Sequence, residues 1–273
     1  MKKTSIALLS IFALYAAQGH AAHNSWSARS KKKSSSCPSS SGWNFTSDCD
    51  LGVMDYLVLG GKQITDDSEF TQVNIAGPKL SLGQNVRYGS WFDLRVRIAG
   101  GLGLTASEPG LQEKSYLLSA DAQLFFPFCI HKTANLTLLP TVGWGFNQFY
   151  SPQFLDLQDD VTSSYRNRSF APLLGVYLKL SPADNFSVKG GCSLHFPTFK
   201  QEIIRSNFEA SGTDHLNSRR HGVSSELEVS YVLDKMTSLT SKFEYVSLGA
   251  SKGSNSNVFS RQLSWMIGAR FSY

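Results

Sequence analysis

Apolar and polar side chains alternate with a period of two residues from Asp50 to Tyr273. Successive side chains of a β-strand point to opposite faces, so each alternating run predicts a strand with one apolar and one polar face. Strong and weaker runs together predict about ten strands. The strong runs are Trp91–Leu104, Ser119–Phe128, Leu136–Asn147, Ser169–Leu180, Phe186–Phe196, Val223–Leu233 and Gln262–Tyr273, and the weaker ones are Val53–Lys62, Lys79–Tyr88 and Leu239–Val246.

The links between these runs alternate in length. The short links are Gly89-Ser90, His131–Asn135, Ser181–Asn185 and Asp234–Met236, and the longer polar links are Gln63–Gln72, Ala106–Glu113, Ser151–Arg166, Lys200–Arg219 and Ala250–Asn257. Short turns at one end and long loops at the other are typical of outer-membrane barrels, whose strands need roughly 9–11 residues to cross a bilayer. We therefore predict an all-β transmembrane up-and-down antiparallel β-barrel of about ten strands. It would lie in the outer membrane of a Gram-negative-type bacterium, with both termini periplasmic.

The first 49 residues differ from the rest. A basic start, an apolar segment from Ile6 to Ala17 and small residues up to Ala21 predict a signal peptide over residues 1–21. Residues 22–49 are rich in Ser and Lys and too poor in apolar side chains to fold alone, which predicts a flexible periplasmic arm. The barrel is then expected over residues 50–273. Export permits disulfides, and a Cys37–Cys49 pair is one pairing open to the chain.

The pI of about 9.0 does not indicate nucleic-acid binding. Six of the 26 basic residues and no acidic residue lie within residues 1–33, which leaves 20 basic against 21 acidic residues. The excess basic charge therefore belongs to the N-terminal end. A helical membrane protein is also excluded, because no stretch reaches the roughly 18 apolar residues that a spanning helix needs.

The polar faces of the predicted strands carry charges of both signs. Burying them in a soluble core without partners would cost several kcal/mol each, whereas in a barrel lumen acids and bases can meet. Their near balance favours a salt-bridged lumen over a selectivity ring, and ten strands is close to the number at which side chains fill a barrel. The lumen charges we predict are Arg95, Arg97, Asp121, Lys179, Lys189, Glu226, Glu228, Lys242, Glu244 and Arg270.

The last run, Leu263 to Tyr273, has apolar residues at alternate positions and ends on an aromatic residue. It resembles the C-terminal strand of bacterial outer-membrane β-barrels. The resemblance implies that Phe271 and Tyr273 form the signal read by the barrel-assembly machinery. The size is similar to that of omptin proteases and Opc-type adhesins, and the cysteines and Ser-rich leader resemble chlamydial envelope proteins.

Sequence motifs for chemistry are weak. Omptins use acidic and Asp/His pairs spaced one residue apart, whereas this chain has the adjacent pairs Asp66-Asp67, Asp159-Asp160 and Asp214-His215, whose members would point to opposite faces of a strand. Ser193 and His195 share the polar face of one run, so a Ser–His couple is conceivable. No C-x-x-C or H-E-x-x-H is present. We therefore predict no catalytic residue, no metal site and no cofactor.

The function that these patterns favour is a structural or surface-binding, adhesin-like role. The loops Ser151–Arg166 and Lys200–Arg219 would be the contact surfaces, with a host protein or glycan as partner besides outer-membrane lipid. One alternative is a small porin that conducts ions or small solutes. A third is an outer-membrane hydrolase that acts on proteins or lipids.

Overall fold

The structure is a computed structural model that describes residues 42–64, 67–108, 111–132, 134–156, 161–205, 211–217, 221–252 and 256–273. The predicted signal peptide and all but the last few residues of the predicted arm lie outside these ranges. Within them, no helix is long and apolar enough to cross a membrane. The strands are β1 (Trp43–Ile64), β2 (Asp67–Tyr88), β3 (Phe92–Glu108), β4 (Leu111–Phe125), β5 (Phe128–His131), β6 (Leu136–Asp156), β7 (Val161–Ala183), β8 (Phe186–His195), β9 (Thr198–Arg205), β10 (Ser211–Asn217), β11 (Gly222–Val232), β12 (Thr237–Lys252) and β13 (Ser256–Ser272).

Ten of these strands form a closed antiparallel barrel. The ring runs β1-β2-β3-β4-β6-β7-β8-β11-β12-β13 and closes where β13 pairs with β1. Closure removes the open strand edges at which a sheet would otherwise pair with other chains. The predicted up-and-down barrel of about ten strands is confirmed.

The three remaining strands extend the ring. β4 and β5 both pair with β6, and Phe126-Pro127 separates them. In the same way β8 and β9 both pair with β7, and Phe196-Pro197 separates them. Proline has no backbone N–H to donate, so each Pro interrupts the ladder. The residue before each Pro still donates its N–H to the neighbouring strand, to Pro140 O and Pro172 O at 2.9 Å. β10 pairs with β9.

The strands are longer than the sequence pattern predicts, and the long loops are correspondingly shorter. β7 has 23 residues, more than twice the length needed to cross a bilayer. Most of the segments Ser151–Arg166 and Lys200–Arg219, predicted as loops, belong to β6, β7, β9 and β10. The prediction was wrong because these segments mix apolar and charged residues without strict alternation, although the backbone pairing continues.

The boundary between arm and barrel also differs from the prediction. β1 begins at Trp43 rather than at Asp50, and Trp43 already pairs with Tyr88. The rings of these two residues lie 4.8 Å apart, and Phe92 packs against both at 6.1 Å. This aromatic contact fixes the start of the barrel within a segment that looks like a polar tail in the sequence.

Tight turns join the strands at one end, which we call the short-turn end. Gly89 and Asn135 occupy the left-handed region, each with φ 51°, as tight turns require. In the turn between β11 and β12 the Asp234 carboxylate accepts hydrogen bonds from the backbone N–H of Met236 at 2.7 Å and of Thr237 at 2.9 Å. Both hydrogen bonds lower the pKa of Asp234, and the one from Met236 has the larger effect.

The outer surface of the barrel is apolar, and its interior combines charged and polar side chains with buried apolar clusters, the largest among the described residues being Met54, Tyr56, Ile75, Leu117 and Phe149. Leu51 is 63% exposed and Ile267 is 55% exposed on the outer surface, whereas Lys242 is 1% exposed in the lumen. Other exposed apolar side chains of this outer band include Val53, Leu80, Val96, Leu102, Leu118, Val142, Trp144, Leu174, Val176, Leu178, Leu194, Leu227, Leu239, Phe243, Leu263 and Trp265. This is the reverse of a soluble core, and it is what a lipid surrounding requires.

Barrel closure depends on the absence of a side chain at Gly268. A Cβ there would collide with the Asp50 carboxylate and with the backbone at Cys49, on the strand that closes the ring. We expect Gly268→Val to abolish or severely reduce the compact, heat-modifiable band of refolded protein on unboiled gels, because the strain of overpacking, typically ~1–3 kcal/mol, falls on the closing seam. Gly100→Val is the control, since a Cβ at Gly100 meets nothing within 4 Å. Equal folding of both variants would contradict this account.

Candidate functional site in the barrel lumen

Acidic side chains crowd one wall of the lumen. Glu226 on β11 and Glu244 on β12 lie directly opposite each other in the strand register, and both are buried. Like charges placed opposite each other destabilise a strand pair unless other groups compensate them. The compensating cations come from β2 and β3, which lie elsewhere in the ring.

Arg95 of β3 neutralises Glu226. Its Nη1 donates to Glu226 Oε1 at 2.7 Å and its Nη2 donates to Oε2 at 2.9 Å. Such bidentate Arg–carboxylate pairs are among the strongest hydrogen-bonded ion pairs. Nη2 also donates to Gln123 Oε1 at 3.0 Å. Lys189 Nζ lies 3.7 Å from Glu226 Oε1. The pair joins two walls of the lumen that the backbone does not join directly.

Glu244 is also neutralised by cations from β2 and β3. Lys79 Nζ of β2 donates to Glu244 Oε2 at 2.9 Å, and Arg97 of β3 donates to Oε1. Arg97 Nε also donates to Asp121 Oδ2 at 2.8 Å. Ser264 Oγ lies within hydrogen-bond distance of Glu244 Oε2 at 3.3 Å. Glu244 is thus a second point at which β2 and β3 are bound to the acidic wall.

A further group lies where β13 meets β1. The fully buried Lys242 Nζ lies 2.7 Å from Asp50 Oδ2, 3.4 Å from Asp48 Oδ2 and 3.9 Å from Glu228 Oε2. Arg270 donates through Nε to Asp48 Oδ1 at 2.7 Å and through Nη2 to Glu228 Oε1 at 2.8 Å. These five side chains stabilise the seam at which the barrel closes.

The structure brings nine of the ten predicted lumen charges into ion pairs with described residues. The exception is Lys179, which makes no ion pair or hydrogen bond with any residue that the structure describes. Sequence reasoning did not assign Asp48, Asp50 and Lys79 to this group. The available signal was the two-residue spacing of Asp48 and Asp50, which was hidden because Met54 and Tyr56 follow on the same inward face and are apolar.

We define the lumen charge network as the ten predicted residues together with the three that were missed and the pair Arg87–Asp93, whose Nη2 and Oδ2 atoms are 3.0 Å apart. Its cations number eight and its carboxylates seven. The cations are Lys79, Arg87, Arg95, Arg97, Lys179, Lys189, Lys242 and Arg270, and the carboxylates are Asp48, Asp50, Asp93, Asp121, Glu226, Glu228 and Glu244.

Two cavities flank the Arg95–Glu226 pair. The larger, about 230 Å³, lies toward the short-turn end and is lined by Arg95. The smaller, about 60 Å³, is lined by Glu226. The pair therefore lies between the two spaces.

The predicted disulfide between Cys37 and Cys49 is not formed. Cys49 is a free thiol. It lies on the exposed face of β1, since its neighbours Asp48 and Asp50 point into the lumen. Cys192 is also free and exposed on the outer face of β8. Cys129 in β5 is disulfide-bonded. Cys37 lies outside the described residues.

The conceivable Ser193–His195 couple is not formed either. Ser193 Oγ shares a hydrogen bond with Tyr177 Oη at 3.2 Å, whereas His195 Nε2 meets Ser224 Oγ at 2.7 Å. His195 and Ser224 line the 60 Å³ cavity. No group of three or more His, Cys, Asp or Glu that could hold a metal is found among the described residues. The side chains of Asp66, Asp67, Asp159, Asp160, Asp214 and His215 lie outside those described.

Comparisons with known proteins agree with this architecture. No protein-family model matches the chain, and no curated protein matches it. Among solved structures, the outer membrane protease OmpT from Escherichia coli superposes with a TM-score of 0.64 at 10% identity, over 84% of this chain and 97% of that chain. The fold is that of an outer-membrane β-barrel. At so low an identity, the likeness to OmpT concerns the fold and not the activity.

Two further outer-membrane barrels match more loosely. The Ail protein of Yersinia pestis is 12% identical over 84% of this chain and 99% of that chain, with a TM-score of 0.34. Neisserial surface protein A is 12% identical over 84% of this chain and 98% of that chain, with a TM-score of 0.37. Both scores are too low to argue about function. None of the three bears on the resemblance to chlamydial envelope proteins, which stays a prediction.

Removing Lys242 tests the seam. We expect Lys242→Met to lower the free energy of unfolding by about 3–5 kcal/mol, because Asp50 would lose its buried counter-charge. Asp48 and Glu228 would be left with Arg270 alone. The measurement is urea unfolding of the barrel in lipid vesicles, followed by tryptophan fluorescence. Lys235→Met, in an exposed turn, is the control and is expected to change stability little. Equal stability of the Lys242→Met variant and the parent would contradict the proposed role of the seam.

Proposed function

We propose that this protein is a non-conducting outer-membrane barrel that presents its long hairpins for contact with other molecules at the cell surface. The observation that carries the proposal is the set of ion pairs that cross the lumen, from Arg95 to Glu226 and from Lys79 and Arg97 to Glu244. A pore of this size would need these groups to line a path instead of bridging it.

The energetics favour a closed lumen. Separating a buried pair such as Arg95–Glu226 leaves an uncompensated charge and typically costs about 3–5 kcal/mol, so thermal opening would be rare. A barrel of about eight strands is filled by its side chains, whereas open aqueous channels need roughly 16. Ten strands with cross-lumen pairs therefore support a closed barrel over the small porin that is the alternative.

Conductance in a planar lipid bilayer tests the closed lumen. We expect the refolded protein to give no stable current steps at moderate salt. We expect the double variant Arg95→Ser/Glu226→Ser to give measurable steps, because it removes a bridge and replaces it with two small side chains.

The matched control is Arg87→Ser/Asp93→Ser. This pair joins the neighbouring strands β2 and β3 and does not cross the lumen. It should stay as silent as the parent. Stable, ion-selective steps from the parent protein would overturn the proposal in favour of a porin.

The outer hairpins are suited to contact because their polar side chains are held in place. Arg166 of β7 lies with its guanidinium 5.3 Å from the centre of the Tyr150 ring, and Arg168 Nε donates to Gln148 Oε1 at 3.2 Å. Arg166 and Arg168 precede the exposed Phe170 on the same outward face of β7. A host protein or glycan would meet this surface, and outer-membrane lipid would surround the apolar band below it.

Shortening one hairpin tests the surface-binding role. Gln201 pairs with Asp214, so deleting residues 201–214 and joining Lys200 to His215 through Asn-Gly keeps the register of β9 and β10. We expect a non-adherent bacterium that displays the intact barrel to bind epithelial monolayers severalfold more than its parent strain. The shortened variant should lose this gain.

The control shortens a different hairpin. Thr105 pairs with Glu113 in β3 and β4, so replacing residues 106–112 by Asn-Gly trims that hairpin with its register kept. We expect this variant to bind like the intact barrel. No gain from the intact barrel, or equal loss in both variants, would argue against contact through the β9–β10 hairpin.

Two aromatic residues at the C-terminal end of the chain concern insertion of the barrel into the outer membrane. Phe271 is half exposed on the outer face of β13, and Tyr273 follows the end of that strand. We propose, as the resemblance to other barrels implies, that these two aromatic residues are read by the barrel-assembly machinery.

A further inference from the structure

The cavity of about 230 Å³ at the short-turn end is rich in positive charge. Five cationic side chains line it, against the two carboxylates Asp93 and Glu228. The five cations are Arg87, Arg95, Lys179, Lys189 and Arg270. Arg95 and Arg270 are held by Glu226 and Asp48, and Arg87 is held by Asp93, so the excess comes from the two lysines.

Lys179 makes no ion pair with any residue that the structure describes. In the strand register of β7 and β8 it lies directly opposite Lys189. Two like charges opposite each other destabilise a strand pair. Its other neighbour in the register, on β6, is the uncharged Thr137.

Lys189 is only partly compensated. Its closest carboxylate oxygen is Glu226 Oε1 at 3.7 Å, and that carboxylate already accepts two hydrogen bonds from Arg95. The Lys189 ammonium otherwise lies 4.4 Å from the centre of the Phe125 ring. A cation–π contact of this kind contributes less than a full ion pair and leaves the ammonium able to accept an anion.

Arg87 adds an unused donor at the same cavity. Its Nε is buried and has no hydrogen-bond partner among the described residues. Buried N–H groups without partners are rare, and each calls for an explanation such as a bound ion or water. Lys179, Lys189 and Arg87 thus bring three positive charges to the lining of one space.

The two carboxylates that line the cavity are already paired, Asp93 with Arg87 and Glu228 with Arg270. The lumen charge network has eight cations and seven carboxylates, which leaves one positive charge over. No Asp or Glu precedes Asp48 in the sequence, and Asp48 is already paired with Arg270 and Lys242. The residues that lead into β1 therefore cannot neutralise the cavity.

We propose that this cavity binds a small oxyanion of the phosphate class, held by Lys179, Lys189 and Arg87. A water molecule takes up ≈ 30 Å³ in the liquid, so the space admits a phosphate group together with a few waters or a short organic group. Inorganic phosphate and a small phosphate monoester share this chemistry. The site is independent of the outer hairpins and of whether the barrel conducts.

Calorimetric titration of the full refolded barrel in detergent micelles tests the site. The probes are inorganic phosphate and glycerol 3-phosphate, with sodium chloride at matched ionic strength as the blank. We expect saturable binding of one ion per barrel. Tighter binding of glycerol 3-phosphate would identify a phosphate monoester as the ligand class, and tighter binding of inorganic phosphate would identify the free ion.

Two variants decide whether the named residues hold the ion. We expect Lys179→Gln to weaken binding about tenfold or more, whereas Lys235→Gln, which removes the same charge from an exposed turn, should bind like the parent. Phosphate should raise the unfolding temperature of the parent and of Lys235→Gln but not that of Lys179→Gln. Because Lys179 has no described partner, its replacement should not impair folding without phosphate.

The proposal fails if neither phosphate probe gives saturable heat with the parent protein. It also fails if Lys179→Gln and the parent bind phosphate equally well. A loss of binding in Lys235→Gln as large as that in Lys179→Gln would show a general charge effect and would overturn the assignment to this cavity.

Discussion

The arrangement of ion pairs in the lumen follows from one constraint, which is that Glu226 and Glu244 lie opposite each other inside the barrel. Neither carboxylate finds a cation on its own pair of strands at that level, so both are met by Lys79, Arg95 and Arg97 from β2 and β3. Only a closed ring brings those strands opposite β11 and β12. Charge compensation and barrel closure therefore support each other, and the same contacts that stabilise the ring also obstruct its centre.

A second consequence concerns how charge is distributed along the lumen. Five of the seven carboxylates of the network are paired at the seam or across the centre, and the other two, Asp93 and Asp121, pair with arginines on neighbouring strands. Lys179 lies near the short-turn end without an ion pair. The lumen is thus not a uniform polar filling. It has a neutral, bridged middle and a cationic cavity beside it. The closed lumen and the anion site that we propose are compatible, because they rest on different residues.

The architecture could be predicted from the sequence, since a one-sided strand leaves a period-two pattern that needs no tertiary information. The hairpin extensions could not, because the segments that contain Arg166 and Gln201 mix apolar and polar residues without a period of two. The start of β1 was missed for a related reason, as Asp48 and Asp50 lie beside a Ser-rich segment and resemble a tail. Which cation meets which carboxylate was also beyond the sequence. Partners such as Arg95 and Glu226 lie 131 residues apart and meet only after closure.

The most direct test of the account is a double-mutant cycle on Arg95 and Glu226. Arg95→Gln, Glu226→Gln and the double variant would be compared with the parent by urea unfolding in lipid vesicles. If the pair joins the two walls, the coupling energy should be at least ~1.5 kcal/mol, within the range seen for residues in direct contact. Single-variant effects that add to within ~0.5 kcal/mol would mean that the two residues do not interact, and would contradict the claim that ion pairs across the lumen hold the barrel closed.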